Sequence, residues 1–245
     1  MRTVLLHRAF VLHSRPYGET SLLVEAFSAR FGRVGLMAKG ARRAKSRWRG
    51  LLQPFRPLLL CWLPRKELGL LTGIEAQMPF PLLAGRAVLC GFYLNELLLR
   101  LLPRDDPLPQ LFESYMTAVR DLAEQPREEP VLRIFEKHLL DALGYGLTLD
   151  RDVQGGQEID PDAVYDYRLD SGPVRTPALG LVELPIRGRT LLALGRGQVH
   201  NPTELAEAKR LLRLALERQL GEKPLISRRL FRQPGARRFA LAARG

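Results

Sequence analysis

Apolar and polar residues alternate along three short stretches near the start of the chain. Arg8 to His13, Thr20 to Ser28 and Arg33 to Lys39 each read as a strand, separated by SRPYGE and ARFG, both rich in turn formers. In the third stretch the period of two puts Val34, Leu36 and Ala38 on one face and Arg33, Met37 and Lys39 on the other, which predicts a half-buried strand with a cationic outer face. Two further runs follow: Leu58 to Leu63, continuously apolar and bounded by Pro54, Pro57 and Pro64, and Glu67 to Glu75, which alternates around Leu68, Leu70 and Thr72. Five short strands in about 80 residues predict a small barrel, most often a five-stranded OB-type barrel, a frequent platform for oligonucleotides, with an SH3-like barrel as the alternative.

From Pro81 the period lengthens. Leu82 to Leu102, Pro109 to Glu124 and Glu128 to Leu143 carry apolar residues at spacings of three and four, as Leu132, Phe135, Leu139 and Leu143 do, which predicts helices. Thr148 to Pro161 is a polar, acidic loop, and Val164 to Leu169 with Val174 to Thr176 flank Asp170-Ser171-Gly172-Pro173 as a β-hairpin would. Asn201-Pro202-Thr203-Glu204 starts another helix, with Asn as cap and Pro at the first position, and Gly221 ends it. The fold class expected is α+β: an N-terminal OB-fold barrel over residues 1–79, then a mainly helical domain over residues 80–245 with a small β-hairpin insert and a basic C-terminal tail. The boundary is placed in QMPFP, Gln77 to Pro81.

Charge sharpens this outline. The 245 residues carry a formal net charge of +12, which favours polyanionic partners, nucleic acid before an anionic membrane surface. The middle of the chain is acid-rich, whereas Lys223 to Gly245 contains neither Asp nor Glu and holds Lys223, Arg228, Arg229, Arg232, Arg237, Arg238 and Arg244. A second acid-free stretch, Arg30 to Gly50, holds Arg33, Lys39, Arg42, Arg43, Lys45, Arg47 and Arg49 around a single tryptophan, Trp48. Beyond Gly40 the periodicity stops, and cations recur every one or two positions, as in a flexible electrostatic clamp on a phosphate backbone; a solvated loop kept soluble by its charge is the plainer reading. Trp48 and Tyr17 are candidates to stack on bases, against ordinary surface packing.

Catalytic patterns do not emerge. There is no phosphate loop, Gly195-Arg196-Gly197 lacks the third glycine of a dinucleotide loop, and no nucleophile elbow occurs. Cys61 and Cys90 are too few for a disulfide framework or a four-cysteine zinc site, and His7, His13, His138 and His200 match no common metal spacing. Asp160, Asp162 and Asp166 could gather a divalent cation as in a nuclease, but lack the surrounding context. Asn95 and Glu96, inside the most apolar helix, need partners, and bonds to a neighbouring element are their expected role. Arg86, Asn95, Glu96 and Arg100 also argue against a membrane span there, so neither a cofactor nor a membrane is expected and the chain reads as cytosolic.

FVLHSRPYGETSLLVEAFS, GRV, AKGARR with SRWRGLLQPFRPLLL, YLNELLLRLLPRDDP, LRIFEKHLLDALGYG and GEKPLISRRLFRQ, in that order, resemble the RecO family of bacterial recombination mediators over nearly the whole chain. The resemblance implies an OB-fold and a helical domain, no catalysis, and binding of single-stranded and double-stranded DNA with annealing of single strands. It also implies partnership with RecR and the single-stranded-DNA-binding protein SSB, indirectly with RecA, in the cytoplasm at the nucleoid. The family's basic surface matches Lys39, Arg42, Arg43, Lys45, Arg47 and Arg49 here. The family receives the acidic, aromatic-ended SSB tail on its helical domain, and the expected receptor is Leu132, Phe135 and Leu139 as an apolar ridge beside Arg133 and Lys137. The competing reading pairs those cations with Glu129 and Asp141. Some members carry a four-cysteine zinc site after the GYG segment; Asp150, Asp152, Gly155, Gly156 and Glu158 stand there in this chain, so zinc is not expected. An RNA-binding OB protein and a protein adaptor without nucleic acid are the alternatives.

Overall fold

Ala9 to Leu12 is an unbroken apolar run inside the first strand, and the computed structural model, which describes residues 4–48, 50–176 and 182–231, shows why. Strands β1 (Val4–Tyr17), β2 (Ser21–Ser28), β3 (Gly32–Ala38), β4 (Pro57–Leu63) and β5 (Gly69–Ala76) close into a barrel in the order β1-β2-β3-β5-β4, with β1 pairing back to β4. All neighbours are antiparallel except β3 and β5, which pair only at Leu36 with Gly69 and Met37 with Leu70. This is an OB-type barrel. Ala9, Val11, Val24, Ala26, Val34, Leu36, Leu58 and Leu60 fill it from alternate positions.

The other side of β1 is buried as well. Helices α1 (Arg86–Leu101) and α2 (Pro109–Glu124) cover it, so that Phe10 meets Phe112 and Tyr115 at ring-centroid distances of 5.6 and 5.1 Å, and Phe27 meets Phe112 at 5.5 Å. Asn95, buried in α1, donates to the Leu12 carbonyl at 2.8 Å and accepts from the Tyr115 hydroxyl at 2.6 Å, locking helix to strand. After α1 the chain runs beside the exposed edge of β3, where Asp105 N donates to the Arg33 carbonyl at 3.0 Å.

Residues 127–224 form a separate compact unit. It contains α3 (Glu128–Ala142), β6 (Val164–Arg168), β7 (Gly172–Arg175), β8 (Pro185–Arg187), α4 (Gly188–Gly195) and α5 (Pro202–Leu220). The expected hairpin is β6–β7, but β8 pairs with β6 on its other side and makes the insert a three-stranded sheet. Asp152 organises the preceding loop by accepting from Gln154 N at 2.8 Å and from Gly155 N and Arg175 N at 3.3 Å each. At the start of α5, the Asn201 side chain accepts from Thr203 N at 2.9 Å, with Pro202 in the first turn.

Beyond this unit the chain rejoins the barrel and α1–α2 in one compact unit. Leu225 is buried, and Glu96 on α1 accepts from Ile226 N at 2.7 Å, from Ser227 N at 2.8 Å and from the Ser227 hydroxyl at 2.5 Å, fixing the start of a short helix, α6 (Ser227–Leu230). Asn95 and Glu96 thus both have structural partners.

Candidate nucleic-acid interface

The β3–β4 connection carries the cations, and its backbone is held rather than free. Arg42 N donates to the Thr20 carbonyl at 2.8 Å, Arg43 N to Gly40 at 3.1 Å, Ser46 N to Arg43 at 3.0 Å and Leu51 N to Trp48 at 3.1 Å, a succession of turns fastened to the β1–β2 connection. Ala41 and Leu52 are buried in the barrel core, and Trp48 packs half-buried against it. The expected flexible clamp is therefore a folded rim with two apolar anchors and an aromatic between them.

Lys39, Arg42, Arg43, Lys45 and Arg47 are all exposed. Among the described residues none of these five forms an ion pair with a carboxylate. Two are steered by carbonyls: the Arg42 guanidinium donates to Gly18 O at 3.1 Å, and that of Arg47 to Thr72 O at 3.4 Å while lying 5.6 Å from the centroid of the Trp48 ring. Carbonyl partners orient a guanidinium without cancelling its charge, so the rim keeps a concentrated positive field at one end of the barrel. Trp48 is spent partly on packing. Arg49, and the tail cations Arg232, Arg237, Arg238 and Arg244, lie outside the described residues.

Arg33 stands apart from this group. Its side chain is 18% exposed, donates to the Leu102 carbonyl at 3.0 Å and pairs with Glu25 at 3.2 Å, which also holds Arg104. It fastens β3 to the end of α1. Sequence reading passed over Arg15, exposed on β1 together with Tyr17 at the rim end of the barrel. The signal for it is the alternation His13, Arg15, Tyr17, which puts all three on the outer face.

In the helical unit, Leu132, Phe135 and Leu139 of α3 are buried, and so are Arg133 and Glu136, which pair at 2.6 Å. Lys137 pairs with Asp141 at 2.8 Å, as the competing reading of that helix has it, whereas the partner of Arg133 is Glu136 rather than Glu129. The ridge read from periodicity is a core face here, not an exposed slot. Asp160 and Asp162 pair with Arg175 and Arg189, and Asp166 accepts from Glu183 N and Leu184 N. Among the described residues no group of three or more His, Cys, Asp or Glu is placed to hold a metal ion, and no helix is long and apolar enough to cross a membrane.

Residues 1–80 match the family Recombination protein O N terminal, and residues 83–229 match Recombination protein O C terminal. A protein of Nitrosococcus oceani named DNA repair protein RecO is 50% identical over 230 residues, 94% of this chain and 94% of that relative. Proteins of the same name from Alkalilimnicola ehrlichii and Coxiella burnetii are 50% and 45% identical over 236 and 230 residues, covering 94% of this chain in each case and 92% and 98% of the relatives. An OB-type barrel with a cationic rim, joined to a helical unit and matched at this level over 94% of its length, places the chain in the RecO family of DNA repair proteins.

Proposed function

We propose that this chain is a non-catalytic mediator of DNA repair and recombination that binds and anneals single-stranded DNA and helps load RecA onto SSB-coated DNA. The observation that supports it is the rim: five exposed cations, Lys39, Arg42, Arg43, Lys45 and Arg47, fixed on a folded loop with no carboxylate partner among the described residues. Annealing brings two polyanions together, and a cationic surface lowers their repulsion by displacing counterions while leaving base edges free to pair. Such contacts hold double-stranded DNA too. In this reading residues 1–79 are the DNA-binding domain, residues 80–245 serve protein partners, and the protein works in the cytoplasm at the nucleoid. The test is the rate of annealing of complementary oligonucleotides, bare and SSB-coated, by wild type and by a variant with Arg42, Arg43, Lys45 and Arg47 replaced by Ala. Annealing is expected to fall at least tenfold; an unchanged rate would remove the rim from the mechanism. Competition between DNA and RNA of one sequence at fixed salt addresses the RNA-binding alternative, since only the 2′-hydroxyl separates the two backbones.

RecR and the acidic SSB tail are the protein partners of this reading, with RecA reached indirectly. Docking of the tail on α3 requires Lys137 to leave Asp141 and the Leu132, Phe135 and Leu139 side chains to be uncovered. Titration of the tail peptide against Lys137→Glu tests it, and unchanged affinity takes the receptor off α3.

A further inference from the structure

Strand register puts His13 opposite Glu25 and Arg15 opposite Leu23 on β1–β2, then Glu25 opposite Gly35 and Leu23 opposite Met37 on β2–β3. His13, Arg15, Leu23 and Glu25 floor a groove of about 440 Å³, also lined by Lys66 to Leu68 of the β4–β5 connection and by Arg104 and Asp105. Gly35 lies beneath two wall residues and lets them close in. A Cβ there would lie 2.9 Å from the Leu68 side chain and 3.1 Å from the Arg104 guanidinium, so any side chain pushes the wall outward from β3 into the groove. The volume lies within the range of about 300–1,000 Å³ typical of small-ligand sites.

The charge of the groove differs from that of the rim beside it. Arg15, Lys66 and Arg104 are matched by Glu25, Glu67 and Asp105, and Arg104 is already engaged with Glu25. A phosphate entering would meet carboxylates, which the rim does not present. A neutral, flat ligand with both donors and acceptors on its edge fits better: Leu23 and Leu68 offer apolar surface to its faces, Arg15 and Lys66 offer donors, and Glu67 and Asp105 offer acceptors. A nucleobase has these properties. Tyr17, 51% exposed, sits two residues beyond Arg15 on the same side of β1, at the end where Arg42 N is bonded to Thr20. Groove, tyrosine and rim therefore follow one another along one face of the barrel.

We infer that the groove is a subsite for one unpaired base of a DNA strand whose phosphates rest on the rim, with Tyr17 as the stacking surface for its neighbour. The inference rests on the DNA-binding reading above. Its consequence is selectivity, because a base held in a duplex cannot turn into the groove.

The experiment compares a thymidine oligonucleotide with an abasic strand of the same length, in full-length wild type, Gly35→Ala and Leu68→Ser. The first substitution pushes Leu68 and Arg104 into the groove and the second strips the apolar wall, both without changing charge. Wild type is expected to bind the thymidine strand about tenfold more tightly than the abasic one, the scale of one stacked base. In both variants that ratio should fall severalfold, to what stacking on Tyr17 alone supports, while the slope of log affinity against log salt keeps its wild-type value. Should Gly35→Ala fail to fold by circular dichroism, Leu68→Ser decides. Equal binding of the two strands by wild type, or a tenfold ratio surviving in the folded variants, overturns the subsite alone. A wild type that binds neither strand sinks the DNA-binding reading instead.

Discussion

Replacing Arg42, Arg43, Lys45 and Arg47 together by Ala tests the rim most directly. All four are exposed, none is paired with a carboxylate among the described residues, and the loop is anchored through Ala41, Trp48 and Leu52, which stay in place. Each phosphate neutralised on a single strand adds about 0.7 to the slope of log affinity against log salt, so four lost contacts flatten it by up to roughly 3 units. Over a fourfold rise in salt, wild-type affinity should then fall on the order of 50-fold more than that of the variant. Fluorescence anisotropy with a labelled oligonucleotide at several salt concentrations measures both slopes. Arg33→Ala is the internal control: it breaks the bonds to Glu25 and Leu102, so it should lower stability and leave the slope almost untouched. An unchanged slope in the folded fourfold variant would refute the reasoning, as would a large slope change from Arg33→Ala.

Four further outcomes are expected. Asn95→Leu removes the donor to the Leu12 carbonyl and the acceptor for the Tyr115 hydroxyl, and should cost about 1–3 kcal/mol for each group in urea unfolding. Arg133→Glu sets a second carboxylate against buried Glu136 and should lose roughly 3–5 kcal/mol, seen as a lowered denaturation midpoint. Burial pushes the Tyr115 phenol far above its ordinary range, so this group leaves stability undiminished below about pH 10, where the unfolded phenol begins to ionise, and subtracts from it as pH rises further. Ultraviolet titration should find Tyr115, and with it Tyr167, whose phenol burial also raises, ionising last, and Tyr115→Phe should flatten the alkaline decline. Glu96→Ala removes the acceptor for Ile226 N and Ser227 N, whose amide exchange, followed by mass spectrometry, should accelerate while barrel amides stay protected.

The barrel was legible because each strand buries at least one face: Val34, Leu36 and Ala38 advertise β3 by a period of two. Helix α5 announced itself through a side chain that caps its own backbone, a purely local interaction. Other features depend on distant chain. The double burial of Phe10 and Leu12 needs α1 and α2, and the only local trace is the unbroken apolar run. At β1's start Leu5 and Leu6 are apolar yet exposed, with Leu6 at a φ of 49° where the register with β4 shifts, so alternation misreports that end. Strand β8 and helix α4 escaped altogether. The strand is three residues long, and the helix opens on Gly188, where a Cβ would lie 1.9 Å from the Asp160 carbonyl oxygen, after an N-cap residue, Arg187, whose side chain makes no capping bond. For the site, the run of cations showed which residues carry charge, but not that Arg33 is consumed by Glu25 and Leu102, nor that periodicity on α3 marks its inward face. A helical period identifies an apolar side; only the neighbours say whether it is open.

The return of residues 225–231 to Glu96 bears on how the protein is made. Glu96 leaves the ribosome 131 residues ahead of Ser227, and translation at about 5–20 residues per second separates them by roughly 7 to 25 seconds. For that interval the barrel and its first two helices exist without their last piece, and the helical unit is synthesised as an excursion from a domain still waiting to be finished. A nascent chain stalled before residue 227 should expose the α1 surface around Glu96, a signature by which quality-control factors could tell an interrupted product from a complete one.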